Sequence, residues 1–312
     1  MRTFIILVIV LLTGSRYTAQ LQENKFQISK KLEQIPLYTN QMPDRPGPLG
    51  AEVITAKGSV TNISTPRLIV HRPAKPNGTA ILVISGGGYA HIEIGKESTP
   101  TANWLQSEGV TAFELIYRLP SENWKSTNVP FEDAQRAMRI IRSLAEKYKI
   151  DANKIGILGF SAGGHLAGFI SAQPDKKLYS PFDEIDSLSA RPNFTGLIYP
   201  VISMLPPNNK THARKSILGT NPSVPEEAAF SVEKLVNSNM PVTFLAQAID
   251  DPISSVDNSL LLYSALKKVN VKAEMHLFPT GGHGWGLGKK GSPVAVWPEL
   301  FKTWMKNNGL WK

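Results

Sequence analysis

Three stretches of the chain carry side chains suited to nucleophilic chemistry. The first is Gly159-Phe160-Ser161-Ala162-Gly163, which follows the apolar run Ile155 to Leu158 and leads into small and apolar residues at helical spacing. Strand, G-x-S-x-G and helix in that order predict a nucleophile elbow, a turn too tight for side chains at 159 or 163, with Ser161 pushed out on a strained backbone. Ser161 would also stand at a helix N-terminus, where free N–H groups favour nearby negative charge. The second stretch is Ser85-Gly86-Gly87-Gly88-Tyr89-Ala90-His91, just past a buried strand at Thr79 to Ile84. Consecutive glycines let backbone N–H groups face an incoming oxygen, so the expected oxyanion donors are Gly87, Gly88 and Ala162. A phosphate-cradling loop is the rival reading. It would need a lysine and Ser/Thr pair or a G-x-G-x-x-G at this loop, and residues 85–91 and those that follow them directly carry neither. The third stretch is a pair of late loops, Asp250-Asp251-Pro252 and Gly281-Gly282-His283-Gly284-Trp285-Gly286, each following a strand.

A serine hydroxyl is a poor nucleophile, so a histidine must take its proton and a carboxylate must hold that histidine. The expected set is Ser161, Asp251 and His283. Asp250 and Asp257 are also near. Asp251 starts the loop and precedes Pro252, Asp250 is its neighbour and is expected to face away, and Asp257 begins a helix that it would cap. Of the other histidines, His71 and His212 read as surface residues, His276 alternates within a strand, and His165 lies on the helix behind Ser161 as a packing or hydrogen-bonding group. His91 follows the oxyanion loop and, with Tyr89 and Trp285, is a candidate for substrate contact. No tight ligand spacing such as H-E-x-x-H occurs, so neither a metal nor a cofactor is expected.

The elements that must position these groups alternate. Helices are predicted over 97–108, 131–148, 257–269 and 295–307. Strands are predicted over 110–116, 154–160, 195–199, 242–249 and 272–278. Such alternation implies an α/β fold with a mostly parallel central sheet and helices on both faces. Val53-Ile54-Thr55 and Leu68-Ile69-Val70 read as an opening antiparallel hairpin, and Arg118 with Asp133 as an ion pair buttressing the sheet end. Residues 20–50, polar and then rich in proline, form an arm on the catalytic domain 51–312. Prolines 200, 206, 207, 222 and 225 break up residues 173–241, which are read as a small irregular cap over the carboxyl ends of the strands.

Arg2, the apolar run Phe4 to Leu12 and a polar stretch ending at Ala19 have the form of a secretory signal peptide over residues 1–19. Nine apolar residues are too few to span a bilayer, so no stable membrane insertion is expected after cleavage, and the location is secreted or periplasmic. There is no cysteine, which excludes disulfides, thiol nucleophiles and thiolate metal sites. Loss of Arg2 and Arg16 takes the net charge from +9 to +7, and the basic residues are scattered in pairs such as Lys176-Lys177. Scattered pairs read as a solvated surface, not as a nucleic-acid interface.

With these residues in view, the chain resembles the α/β-hydrolase superfamily, and within it exported bacterial esterases of the acetyl-xylan and feruloyl esterase type. The likeness is carried by S-G-G-G-Y-A-H (85–91), F-E-L-I-Y-R-L (113–119), G-I-L-G-F-S-A-G-G-H-L-A (156–167), D-D-P-I-S-S-V-D-N-S (250–259) and F-P-T-G-G-H-G-W-G-L (278–287). It spans residues 35 to 310, and the order Ser, Asp, His along the chain is that of the superfamily's triad. The resemblance implies a serine esterase without a cofactor, acting on acetyl or feruloyl esters of an acylated polysaccharide or oligosaccharide. It places Ser161, Asp251 and His283 on the triad. Ser85 stands where the family usually has histidine or proline, which leaves open whether the Tyr89 N–H replaces one of the glycine donors. The alternatives are a general carboxylesterase, a serine peptidase like prolyl oligopeptidase and a catalytically idle binding protein. The chain is too short for the peptidase's propeller, and the intact Ser, Asp and His argue against the idle protein.

Overall fold

The computed structural model describes residues 26–39 and 42–311, and the signal-peptide reading of residues 1–19 lies outside them. In chain order the elements are strands β1 (Glu33–Pro36), β2 (Val53–Ile54), β3 (Ser59–Thr61), β4 (Arg67–His71), β5 (Ala80–Ile84) and β6 (Ile92–Glu93), helix α1 (Ser98–Ser107), β7 (Thr111–Ile116), α2 (Val129–Ser143), β8 (Ile155–Phe160), α3 (Ser161–Ala172) and β9 (Phe194–Ile198). Then come α4 (His212–Leu218), α5 (Val224–Ala229), α6 (Val232–Leu235), β10 (Val242–Ala248), α7 (Asp257–Lys268), β11 (Ala273–Phe278) and α8 (Trp297–Asn307).

Eight strands form one sheet in the order β1-β4-β7-β5-β8-β9-β10-β11. The pairs β1–β4 and β4–β7 are antiparallel, and every pair from β7 to β11 is parallel. Parallel neighbours need a crossover between them, and helices supply it, so both faces of the sheet are covered. Successive residues of a strand point to opposite faces. Leu82 and Ile84 therefore join one core with Phe131, Leu166 and Leu262 of α2, α3 and α7. Ile81 and Val83 join the other, with Leu105 of α1 and Phe301 of α8. Two-sided burial explains why β5, β7 and β8 read as continuous apolar runs.

The predicted opening hairpin is corrected. Val53 and Ile54 pair with Thr61 and Val60 in a separate sheet of order β2-β3-β6, whereas Leu68 to Val70 lie in the main sheet between β1 and β7. Gly58, at a φ of +86°, sits just before β3 and allows the tight turn that pairs β3 with β2 first. Residues 33–36, placed in the arm by sequence, add the outer antiparallel strand β1. His71, expected on the surface, is fully buried, and its ring nitrogens meet Glu114 and Asn103, both at 3.1 Å.

Arg118 and Asp133 do pair at the sheet end. Both are fully buried, with Nη2 to Oδ1 at 2.7 Å, and Asp133 also accepts the Arg118 N–H at 2.8 Å and the Tyr38 hydroxyl at 3.1 Å. Glu132 also accepts from Arg118 Nη2 at 2.9 Å, and burial pushes its carboxyl up to about 8 despite that cation. Asp133→Ala is expected to cost about 3–5 kcal/mol by stranding a buried cation, read as a shift in the urea midpoint. A loss below about 1 kcal/mol would show that Glu132 alone satisfies the guanidinium.

Residues 173–241 are less irregular than their prolines suggest, because α4, α5 and α6 are short helices within them. Thr211 and Ser223 cap α4 and α5, the latter in a full capping box. The Ser216 hydroxyl donates to the Gly88 carbonyl at 2.8 Å, so α4 sits against the glycine loop.

Candidate active site

The carboxyl ends of β5, β8, β10 and β11 bring their following residues together beside one cavity of about 450 Å³. Strand β8 runs into α3 with no intervening loop, and Ser161 takes up the turn at a φ of +51°, a left-handed conformation that serine rarely adopts. The flanking glycines are demanded by space. A Cβ at Gly159 would lie 2.1 Å from the Gly163 carbonyl oxygen, and one at Gly163 would lie 2.4 Å from that of Ile84.

Ser161, His283 and Asp251 are joined by hydrogen bonds. Serine Oγ lies 2.8 Å from His283 Nε2, and His283 Nδ1 lies 2.7 Å from Asp251 Oδ2. A carboxylate can only accept, so Nδ1 carries the proton and Nε2 is left to accept from the serine hydroxyl. Asp251 is itself held: Oδ1 accepts from Ile253 N and Ser254 N, and Oδ2 from Gln247 Nε2. Asp250 points elsewhere and accepts the Gly282 N–H at 2.8 Å, fixing the loop next to His283. Asp257 lies in the first turn of α7, where its charge favours the helix dipole, but Val256 occupies the cap position. A serine hydrogen-bonded to an imidazole oriented by a carboxylate is suited to attack on an acyl carbon.

Gly87 and Gly88 line the cavity beside Ser161. Among the described residues their N–H groups meet no protein acceptor, and the first-turn position of Ala162 leaves its N–H without one inside α3. Of the three predicted substrate contacts, one lines the cavity and two do not. His91 lines the cavity, its Nε2 lying 3.3 Å from Glu93. Tyr89, in contrast, is fully buried. Its φ of +59° turns the ring into the core, where the hydroxyl donates to His165 Nδ1 at 2.8 Å. The other nitrogen of His165 donates to the Phe230 carbonyl at 2.6 Å, and burial lowers this histidine to about 4, so it stays neutral. Trp285 is absent from the cavity lining and packs edge-on against Tyr199, with ring centroids 4.5 Å apart.

Sequence reasoning missed Glu97. It is buried at the cavity, where its carboxylate accepts the Gly86 N–H at 2.6 Å and the Tyr199 hydroxyl at 3.0 Å. Burial pushes it up to about 7 in spite of those donors. The only local signal was an acid at the start of a helix, which normally reads as a solvated first-turn residue. His212, read as surface, is exposed but stands on the cavity rim opposite Gly88.

Sheet order, elbow and the Ser–His–Asp chain together define an α/β-hydrolase. The chain belongs to the BD-FAE family, whose model matches residues 68–266. It is similar to an acetylxylan esterase of Xylanibacter ruminicola, with 32% identity over 264 residues covering 82% of this chain and 50% of that protein. An endo-1,4-beta-xylanase B of Butyrivibrio fibrisolvens is 37% identical over 208 residues, covering 65% of this chain and 32% of that protein. The chain thus spans half or less of the length of these two relatives. The crystal structure of an acetyl ester-xyloside bifunctional hydrolase from Caldicellulosiruptor lactoaceticus superposes with a TM-score of 0.77 at 34% identity, covering 90% of this chain and 97% of that one. A carboxylesterase of Lactobacillus plantarum shares the fold at a TM-score of 0.67 and 22% identity, covering 81% and 97% of the two chains.

Proposed function

We propose that the chain is a serine esterase that removes acetyl groups from a xylan-type polysaccharide. The observation that carries the chemistry is the continuous hydrogen-bonded run from Ser161 through His283 to Asp251 at a cavity. The polymer is supported by the relatives, an acetylxylan esterase, a xylanase and an acetyl ester-xyloside hydrolase.

In this reading Ser161 attacks the acetyl carbonyl while His283 takes its proton at Nε2. His283 then gives that proton to the departing sugar hydroxyl, and Asp251 stabilises the imidazolium without being protonated. Water, deprotonated by the same imidazole, releases acetate from the acyl-enzyme. The N–H groups of Gly87, Gly88 and Ala162 meet the tetrahedral oxygen, each such donor contributing about 3–4 kcal/mol. Val201 and Ile253 give the cavity apolar wall, while His91, Glu93 and Lys96 give it polar edge, a combination that suits a small acyl group on a sugar. Residues 51–312, with strand β1 added at the edge of their sheet, act as one catalytic domain, with the 173–241 insert shaping the substrate side.

Export is part of the same proposal, resting on the apolar run Phe4 to Leu12 behind Arg2. Among the described residues no helix is long and apolar enough to cross a membrane. Acetate release from acetylated xylan, measured beside Ser161→Ala, tests the function. Release by the wild type alone is expected. Hydrolysis of a small aryl acetate without any release from xylan would keep the nucleophile and discard the polymer.

A further inference from the structure

The first position of the oxyanion loop is one where the family usually has histidine or proline. Ser85 stands there, and its hydroxyl oxygen is already engaged in accepting the Ser98 N–H at 3.0 Å, while its carbonyl accepts the Tyr117 hydroxyl at 2.9 Å. The next residue, Gly86, is held instead by Glu97, thirteen residues beyond Ile84 at the end of β5. The second Glu97 oxygen accepts from Tyr199, which follows β9, and the same Tyr199 oxygen accepts the Gly286 N–H at 3.0 Å. The Tyr199 ring also packs against the His283 imidazole, with centroids 5.0 Å apart. One carboxylate therefore touches the glycine loop directly and the histidine loop through one hydroxyl.

We propose that Glu97 is a positioning residue whose buried carboxylate, with the Tyr199 hydroxyl, sets the spacing between the oxyanion loop at Gly86 and the histidine loop at Gly286. Two observations favour this over simple core filling. Burying a carboxylate costs several kcal/mol, and a hydrophobic residue of similar size would fill the space at less cost. Moreover, both groups that it holds belong to loops carrying parts of the proposed reaction. Drawing the Gly86 N–H back onto Glu97 removes that donor from the substrate side and leaves Gly87 and Gly88 to face the oxygen. A Cβ at Gly86 would lie 2.7 Å from that of Ser161 and 3.3 Å from Glu97 Oε2, so the brace sits directly behind the nucleophile. Tyr199 is itself held at a φ of +39°, a strained position that a residue serving only to fill space would not need.

The inference rests on the serine-esterase reading, and the test separates the two. Turnover of a small aryl acetate is measured for the wild type, Ser161→Ala, Glu97→Gln, Tyr199→Phe and the Glu97→Gln/Tyr199→Phe double variant, all normalised to folded protein. Tyr199→Phe removes one oxygen and keeps the ring, so it remains informative where Glu97→Gln folds poorly. Each single variant is expected to lose about 10- to 100-fold in kcat, the usual cost of losing a group that orients a reacting one, with KM within about threefold of wild type. Affinity for a trifluoromethyl ketone, which adds to the serine and places an oxyanion in the loop, should fall by the same factor. The double variant should be no worse than the poorer single, because both break one relay. Unchanged kcat in folded Tyr199→Phe and Glu97→Gln overturns the proposal, even with a lowered melting temperature. A raised KM at constant kcat also overturns it, making Glu97 a substrate contact. If Ser161→Ala retains turnover, the esterase reading falls and takes this inference with it.

Discussion

Ser161→Ala is expected to lower kcat on acetyl esters by on the order of 10⁵- to 10⁶-fold while the protein remains folded. Removing the hydroxyl takes away the group that the His283–Asp251 pair activates to carry the acyl intermediate, so the residual rate comes from the oxyanion donors and substrate binding. Among the described residues that oxygen has His283 as its hydrogen-bond partner, so its loss leaves the core's bonds intact. The strained left-handed backbone at position 161 persists in the alanine variant, and the thermal midpoint should stay within a few degrees of wild type. Single-turnover kinetics with an aryl acetate, read alongside circular dichroism, checks both halves. A variant that still shows a burst of phenol would place the nucleophile elsewhere.

Asp251→Asn should cost about 10⁴-fold in kcat, whereas Asp250→Asn should cost less than tenfold. The asymmetry comes from what each carboxylate holds. Asp251 receives the His283 Nδ1 proton, and an amide there can present its NH2 group instead, which forces the other tautomer and puts a proton on the nitrogen that must accept one from Ser161. The carboxylate of Asp250 accepts a single backbone N–H, from Gly282, and the oxygen of an asparagine can do the same. Steady-state rates of the two variants, measured side by side, discriminate between them. Comparable losses would mean that Asp250 carries part of the orienting role.

Much of the frame was legible because its signals are local. Apolar runs such as Ile155 to Leu158 mark strands buried on both faces, and G-x-S-x-G joins one of them to a helix within five residues. Asp251 and His283 stood out because each follows a strand in a short loop. What escaped depends on partners far along the chain. Strand β4 alternates as a hairpin partner of β2 would, yet its neighbour β7 lies about forty residues later, and alternation does not name a partner. His71 looked exposed until Glu114 and Asn103 came up beside it. Tyr89 and Trp285 lie close in sequence to residues of the cavity, but core burial and aromatic packing keep both out of its lining. Glu97 and Tyr199, over a hundred residues apart, form a pair that only the folded chain reveals.

The bond from His165 to the carbonyl of Phe230 bears on how new specificities can be built on this scaffold. Phe230 belongs to the segment over the glycine loop, and the same imidazole carries the hydroxyl of Tyr89 within that loop. Segments that shape a substrate pocket invite exchange between relatives, as though they were detachable modules. Here the graft boundary does not coincide with the ends of the insert. A transplanted segment whose backbone misses Nε2 would leave a buried imidazole N–H unpaired and loosen the grip on Tyr89, so altered specificity would arrive together with a slower enzyme. Chimeras should therefore travel with residues 89 and 165 as part of the donor segment.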